Sequence, residues 1–172
     1  MTLADHLIVR PATLEDLETL TAFSAAMALE TEQRTLDRTR LRMGTQAVID
    51  QPERGQYFVA DLRQETQADT VTVGQLLITY EWSDWRNAQF WWIQSVYVHP
   101  AWRRKGVYRR MHRTIIDLAH SRADVCGVRL YVEASNRVAK HVYDRVGLSP
   151  STYEMYESDF VLPNTHVTDS NA

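Results

Sequence analysis

Residues 95–113 place Arg103, Arg104 and Lys105 directly before Gly106, with Val107, Met111, Ile115 and Leu118 recurring after it. Spacings of four, four and three put those apolar residues on one helical face. Pro100 has no N–H for a sheet ladder and closes a strand over residues 95–98. The stretch therefore reads as strand, cationic loop, helix. The first N–H groups of a helix have no internal partners and lie at the positive end of its dipole. Gly106, at the entry to the helix, lets a ligand approach the backbone closely. The chemistry this arrangement supports is anion binding, with a diphosphate as the usual guest. Arg103, Arg104 and Lys105 add fixed positive charge at its mouth. A solvated basic turn would explain the charge run alone; the strand before it, the glycine within and the amphipathic helix after favour the anion site.

A second constellation is Glu133-Ala134-Ser135-Asn136-x-x-Ala139-x-x-x-Tyr143-x-x-x-Gly147-Leu148. On a helix, Asn136, Ala139, Tyr143 and Gly147 fall near one face, with Gly147 as the C-terminal stop. Either Asn136 or Tyr143 alone would read as a cap or a core tyrosine. The aromatic group Tyr80, Trp82, Trp85, Trp91 and Trp92 is dense and mostly serves packing. Trp82 and Trp85 flank a turn, where they could instead wall a pocket or face a cation.

The elements that must position these groups follow from pattern. Residues 7–10 form a strand closed by Pro11, and Thr13 caps a helix running to about Glu30, with Leu14, Leu17, Leu20, Ser24 and Met27 at helical spacing. A second helix covers residues 37–50, with Leu41 and Val48 among its buried positions. Residues 56–62, 71–82 and 90–98 read as strands joined by turns at 64–70 and 83–89. The third of these is the most apolar and is expected to be central. A strand at 130–133, a helix at 136–146 and a last strand at 152–157 complete the order. Strands joined by short turns are antiparallel, and those flanking a crossover helix are parallel. The expected class is α/β of the α+β type: a mixed, mostly antiparallel central sheet with helices on both faces. Residues 1–162 make a single domain and 163–172 a polar, frayed tail. A dinucleotide-binding fold would want alternating strands and helices from the start and a G-x-G-x-x-G turn, which is absent.

Bulk properties narrow the function. The 172-residue chain, 44% hydrophobic and 24% charged, suits one globular domain. Cys126, the single cysteine, sits among apolar residues as a small core side chain, and no metal pair is spaced around it. No apolar run is long enough for a bilayer span, and the first residues lack a charged lead and long apolar stretch, so the expected location is cytoplasmic. The chain carries net −3 while residues 103–113 carry +6, which leaves −9 on the remainder. One cationic patch on an acidic protein suits a small polyanion and argues against nucleic acid, which wants a wide basic face. The acidic remainder is compatible with a cationic substrate.

Arg103-x-x-Gly106-Val107 following Val96-Tyr97-Val98-x-Pro100 resembles the acyl-CoA loop of the GNAT superfamily of N-acetyltransferases. Tyr108 departs from the pattern, bringing bulk where family members carry a small residue. The Asn136–Tyr143–Gly147 spacing resembles the second cofactor motif of the same superfamily, and the resemblance spans roughly residues 7 to 157. It implies that the backbone of Val96 and Val98 pairs with the pantetheine arm of acetyl-CoA as an added strand would. It further implies that the backbone from Arg104 to Tyr108 holds the diphosphate, that Asn136 bonds the arm and that Tyr143 points its hydroxyl at the thioester sulfur. A backbone N–H near Val96, where the strands splay beside a bulge, would face the oxyanion. The implied activity is transfer of an acetyl group from acetyl-CoA to a primary amine of a small molecule or peptide, without a metal. The alternative is a non-catalytic acyl-CoA-binding module. The general base stays open. The central strand offers Gln94 and Ser95 where relatives place a carboxylate; Glu30, Glu32, Glu81, His99 or a water wire are the alternatives, with Glu133 bracing its own motif. Glu30, Glu81 and Trp82 are the expected acceptor contacts. Acetyl-CoA and the amine are the expected partners, nucleic acid and membrane are not, and homodimerisation stays open.

Overall fold

The computed structural model describes residues 6–63 and 70–162. The elements run β1 (Leu7–Pro11), α1 (Leu17–Glu32), α2 (Arg38–Asp50), β2 (Gln56–Arg63), β3 (Thr70–Ser83), β4 (Ala88–Val98), α3 (Val107–His120), β5 (Val125–Arg129) and α4 (Arg137–Arg145). The five strands form one sheet in sequence order, antiparallel from β1 to β4 and parallel between β4 and β5. β3 is the middle strand. β4, expected at the centre, is interior between β3 and β5.

β2 shows why its apolar run is continuous. Tyr57 and Val59 face one layer, where they meet Leu20 of α1, Leu77 and the α2 residues Val48 and Ile49. Phe58, Ala60 and Leu62 face the other, where Val107, Met111, Ile115 and Ala119 of α3 join Leu76, Ile78 and Ile93. A strand buried on both faces needs no polar alternation. α3 comes close because Gly74 has no side chain: a Cβ there would lie 3.1 Å from the Tyr97 carbonyl and 3.2 Å from both Met111 Sδ and Val107 Cγ1.

Thr13 N donates to Asp16 Oδ2 at 2.7 Å, so the first helix starts as a tight Leu14–Asp16 turn. Arg10 holds that turn to the sheet by bonding buried Asp16 at 2.8 and 2.9 Å and buried Asp61 at 2.7 Å. Asp37 caps α2 through Arg40 N at 2.8 Å. Leu41 and Val48 are half-buried, and Thr45 is the buried residue of α2.

Several expectations are corrected. Leu14 is exposed, because the chain is still in its opening turn there. Leu118 is largely exposed and Ala119 takes its place, because the buried stripe of α3 keeps to steps of four throughout. The fifth strand lies at Val125–Arg129 rather than 130–133. It starts where Gln89 N donates to Asp124 O at 2.8 Å and ends at Arg129, where the chain leaves the β4 edge although β4 runs on to Val98. Residues 152–157 form no strand, and Tyr153, Met155 and Tyr156 are exposed: alternation makes a strand only beside a partner. Cys126 is half-buried and unbridged. The hairpin expected at 64–70 and the tail at 163–172 lie outside the described residues, apart from Thr70, which opens β3.

Candidate active site

The site is built where β4 breaks its regularity. The ladder with β3 runs from Ser83↔Ala88 to Leu77↔Gln94 and resumes at Gln75↔Tyr97. Ser95 and Val96 thus oppose Leu76 alone, which is a β-bulge. Ser95 adopts φ 49°, a left-handed conformation uncommon outside glycine. On its other edge β4 pairs with β5 only from Gln89↔Val125 to Trp92↔Arg129. From residue 93 to 98 that edge has no strand beside it among the described residues. His99 N donates to Val73 O at 2.9 Å. Because backbone groups alternate in direction along a strand, Val98 and Val96 face away from β3. The Val98 carbonyl accepts from Arg103 Nε at 2.9 Å.

Beyond Val98, His99 Nδ1 accepts from Ala101 N at 3.3 Å and starts a short turn at Pro100–Trp102. Arg104 at φ 60° and Gly106 at φ 85° then swing the chain into α3. Arg110 N is bonded to Gly106 O at 3.0 Å, and the N–H groups of Val107, Tyr108 and Arg109 precede the first internal acceptor. Open space lies over Gly106: a Cβ there would meet only Arg109 Nη2, at 3.8 Å. A bare glycine, unpaired helical N–H groups and the exposed Arg104, Arg109 and Arg110 make a cradle suited to an anion. Val107 contributes backbone to it, since its side chain is in the core.

Two of the three basic loop residues are engaged elsewhere. Arg103 lies over the Tyr97 ring at 5.4 Å and donates through Nη2 to Glu30 Oε2 at 2.5 Å. Lys105 Nζ sits 4.6 Å from the centre of the Trp102 ring. Glu30 also accepts from Tyr97 Oη at 2.9 Å. The Arg103 hydrogen bond, helped by that of Tyr97, holds the Glu30 carboxyl below the usual range.

α4 approaches through aromatic contact. The Tyr143 ring meets Tyr108 edge-on at 5.8 Å, and Tyr108 meets His112 at 5.8 Å. Burial pushes the Tyr143 hydroxyl above its ordinary pKa, pushes Tyr108 further and pushes His112 down. Tyr108 Oη and His112 Nε2 are buried and find no hydrogen-bond partner among the described residues. Asn136 caps α4 with Oδ1, accepting from Ala139 N at 3.0 Å, which leaves its amide hydrogens for another partner. Glu133 accepts from Ser135 N at 2.9 Å within the turn before the helix.

Gln94 and Glu81 lie on the face of the sheet that Leu77 presents to α1. Gln94 Nε2 donates to Thr79 Oγ1 at 2.5 Å, and Tyr131 Oη donates to Gln94 Oε1 at 3.3 Å. Glu81 accepts from Arg129 Nη1 at 2.7 Å and from Trp92 Nε1. With Trp82, Trp85, Arg86, Arg129 and Tyr153 it lines a cleft of about 330 Å³ at the β3–β4 hairpin. Glu81 pairs with Phe90, five residues before Ser95, or about 17 Å by strand rise. Val96, Val98, Arg103–Tyr108, Glu30 and Tyr143 therefore gather around the end of β4 and the start of α3, while Glu81 and Trp82 lie at the other end of β4. Tyr131, Arg129 and Gln75 were not singled out by sequence reasoning. Gln75 alone left a signal there, as a polar residue in an apolar strand. Among the described residues no group of three His, Cys, Asp or Glu is placed to hold a metal ion, and no helix is long and apolar enough to cross a membrane.

The model of the acetyltransferase (GNAT) family matches residues 19–148. A possible acetyltransferase from Clostridium difficile 630 superposes with a TM-score of 0.81 at 36% identity, over 91% of this chain and 99% of its own. The fold is shared with ribosomal-protein-alanine N-acetyltransferase from Brucella melitensis at TM-score 0.68 and 14% identity, over 90% of this chain and 99% of that one. It is shared equally with a predicted acetyltransferase of Clostridium acetobutylicum solved with acetyl-CoA, at TM-score 0.68 and 14% identity, over 88% and 96% of the two chains. No curated protein is matched by sequence. The bulged β4, the glycine-capped α3 behind it and the matched span over most of the sheet have one common explanation: the chain belongs to the GNAT family of acetyltransferases.

Proposed function

We propose that the protein transfers an acetyl group from acetyl-CoA to a primary amine of a small molecule or peptide. The observation that carries the reading is the β4 edge at Val96 and Val98, which has no strand beside it among the described residues and runs directly into the Gly106 cradle. An edge of that length accepts an extended amide chain as an added strand, and the cradle accepts a diphosphate. Coenzyme A offers both groups in one molecule. Val96 and Val98 would pair with its arm, Arg104 to Tyr108 would hold its diphosphate through the backbone, and the free amide hydrogens of Asn136 would meet the arm.

The chemistry is direct attack. The amine nitrogen bonds the thioester carbon, the carbon–sulfur bond breaks, the amine loses one proton and the departing sulfur gains hydrogen-bond donation or a proton. The Val96 N–H would face the carbonyl oxygen as charge develops on it. Tyr143 would donate to the sulfur. Its raised pKa keeps it protonated at neutral pH and makes it a hydrogen-bond donor rather than a ready acid. An alkyl amine with a reference pKa near 10.4 arrives mostly protonated and must lose that proton first. Glu30 and Glu81 are each paired with an arginine, and Gln94 cannot accept a proton, so proton removal through water is the reading that fits these pairings. The same pairings favour a second reading, an acyl-CoA-binding module without turnover.

Calorimetric titration with acetyl-CoA tests both readings, and absence of binding at millimolar concentration would remove both. Thiol release across a panel of small and peptide amines separates them: release above the no-amine rate is expected for the enzyme, and none for the module.

A further inference from the structure

The bulge in β4 is held from behind. Gln75 sits on β3 opposite Tyr97 and has no exposed surface. Its Nε2 donates to Ser24 Oγ on α1 at 2.9 Å and to the Ser95 carbonyl at 3.3 Å. A carbonyl oxygen only accepts, so the nitrogen of the amide must be the atom facing Ser95. Both amide hydrogens are then engaged, one by α1 and one by the bulged strand. Burial pushes the Tyr57 hydroxyl above its usual pKa against the opposing pull of Thr45 and Ser24, and all three residues are buried.

We infer that Gln75 is a positioning residue for acyl transfer, aiming the Val96 N–H through its grip on the Ser95 carbonyl. The inference rests on the acetyl-transfer reading of the β4 edge. The peptide unit between Ser95 and Val96 is planar and trans, so its C=O and N–H point in opposite directions. A donor that fixes the Ser95 carbonyl therefore fixes the Val96 N–H as well, pointing away from the Gln75 amide. Ser95, at φ 49°, occupies a sparsely populated conformation that persists only under restraint. With the grip removed, the peptide plane is free to rotate, and hydrogen bonds weaken steeply once their angle is lost. Ground-state pairing of coenzyme A through the Val96 carbonyl, Val98 and Gly106 does not use that peptide unit, whereas a developing oxyanion at the Val96 N–H does.

Gln75→Met keeps length and volume without a donor, and Ser24→Ala frees one of the two amide hydrogens. Thr45→Val, at the buried position of α2, weakens the same core without touching Ser95. Each variant is measured for acetyl-CoA affinity by calorimetry, for thermal melting, and for single-turnover acetyl transfer to the best amine of the panel. Gln75→Met is expected to lower the single-turnover rate about 10- to 100-fold, part of the loss seen when an oxyanion donor is deleted outright. Its acetyl-CoA affinity should change less than about threefold. Ser24→Ala should lower the rate by about three- to tenfold, and Thr45→Val should melt earlier at an unchanged rate. A wild-type rate in folded Gln75→Met overturns the inference and leaves the acetyl-transfer reading standing. Equal rate losses in Thr45→Val and Ser24→Ala overturn it too, even where Gln75→Met fails to fold. A wild type that binds acetyl-CoA weakly or not at all and releases no thiol overturns the site reading first and this inference with it.

Discussion

Gly106 offers the sharpest test of the cradle because space and charge can be varied separately there. A Cβ would meet nothing closer than Arg109 Nη2 at 3.8 Å, so no neighbour needs to move. The φ of 85° is the only structural penalty, and for an alanine it amounts to about 1–2 kcal/mol. Gly106→Ala should therefore fold, melt slightly earlier and still bind coenzyme A. Gly106→Gln adds bulk over the helix N-terminus, and Gly106→Glu adds the same bulk with a negative charge. A carboxylate about 5 Å from one phosphate charge, at an effective dielectric constant near 20, repels it by roughly 3 kcal/mol. That is on the order of 100-fold in affinity beyond the glutamine variant. Pairing of the new carboxylate with Arg109 would reduce the figure, and added salt should narrow the gap between the two variants. Calorimetry with coenzyme A at two ionic strengths, alongside circular dichroism, measures all of this. A folded Gly106→Glu that binds as the wild type does would remove the diphosphate from this loop. Equal losses for Gln and Glu would show that bulk alone, and not anion recognition, limits the site.

Tyr143→Phe should keep the ring contact with Tyr108 and change coenzyme A affinity by less than about 1 kcal/mol, while single-turnover transfer falls by about ten- to ten-thousand-fold. An unchanged single-turnover rate would make Tyr143 structural. Burial lowers the His112 pKa, so the folded protein binds fewer protons there than the unfolded chain. Stability from this residue is complete above the unfolded value of 6.5 and declines as pH falls from there toward the depressed folded value. Melting temperatures across pH 8 to 5 should therefore drop less in His112→Gln than in the wild type; parallel curves would refute the assignment. Arg10→Ala leaves buried Asp16 and Asp61 without their shared cation and should cost about 3 kcal/mol in denaturant melts, the low end for a broken buried pair because Arg10 is itself partly exposed.

The three-strand antiparallel unit, α3 and the Gly106 turn were legible because each depends on local periodicity and on residues that punctuate the chain. β5 was not, because its position depends on where the chain lies against β4 and where it leaves that edge. Val125-Cys126-Gly127-Val128 is too short and glycine-containing to announce itself, while Leu130-Tyr131-Val132 looks more like a strand but has no partner. Gly127 has its own reason to be there: a Cβ would lie 2.7 Å from the Phe90 ring. Arg103 was readable as a loop cation, but its direction is set by Glu30, 73 residues earlier in the chain. The polar character of Gln75 was visible within Val73-Gly74-Gln75-Leu76-Leu77, yet its partner is a carbonyl that turns inward only because Ser95 is bulged.

The β4 edge without a neighbouring strand also bears on association between copies of the chain in a crowded solution. Bare strand edges recruit other strands, and proteins guard against this by keeping them short, bent or charged. This edge is six residues long from 93 to 98, kinked at Ser95, stopped by Pro100 and overlaid at Val98 by the Arg103 side chain. A straight foreign strand would lose its register within two or three residues. A flexible ligand arm carrying only a few amides tolerates the kink and uses what lies on either side of it. The same irregularity that makes room for a small molecule thus makes the sheet a poor template for fibrils, and lengthening the edge by deleting one bulge residue would be expected to exchange selective binding for aggregation.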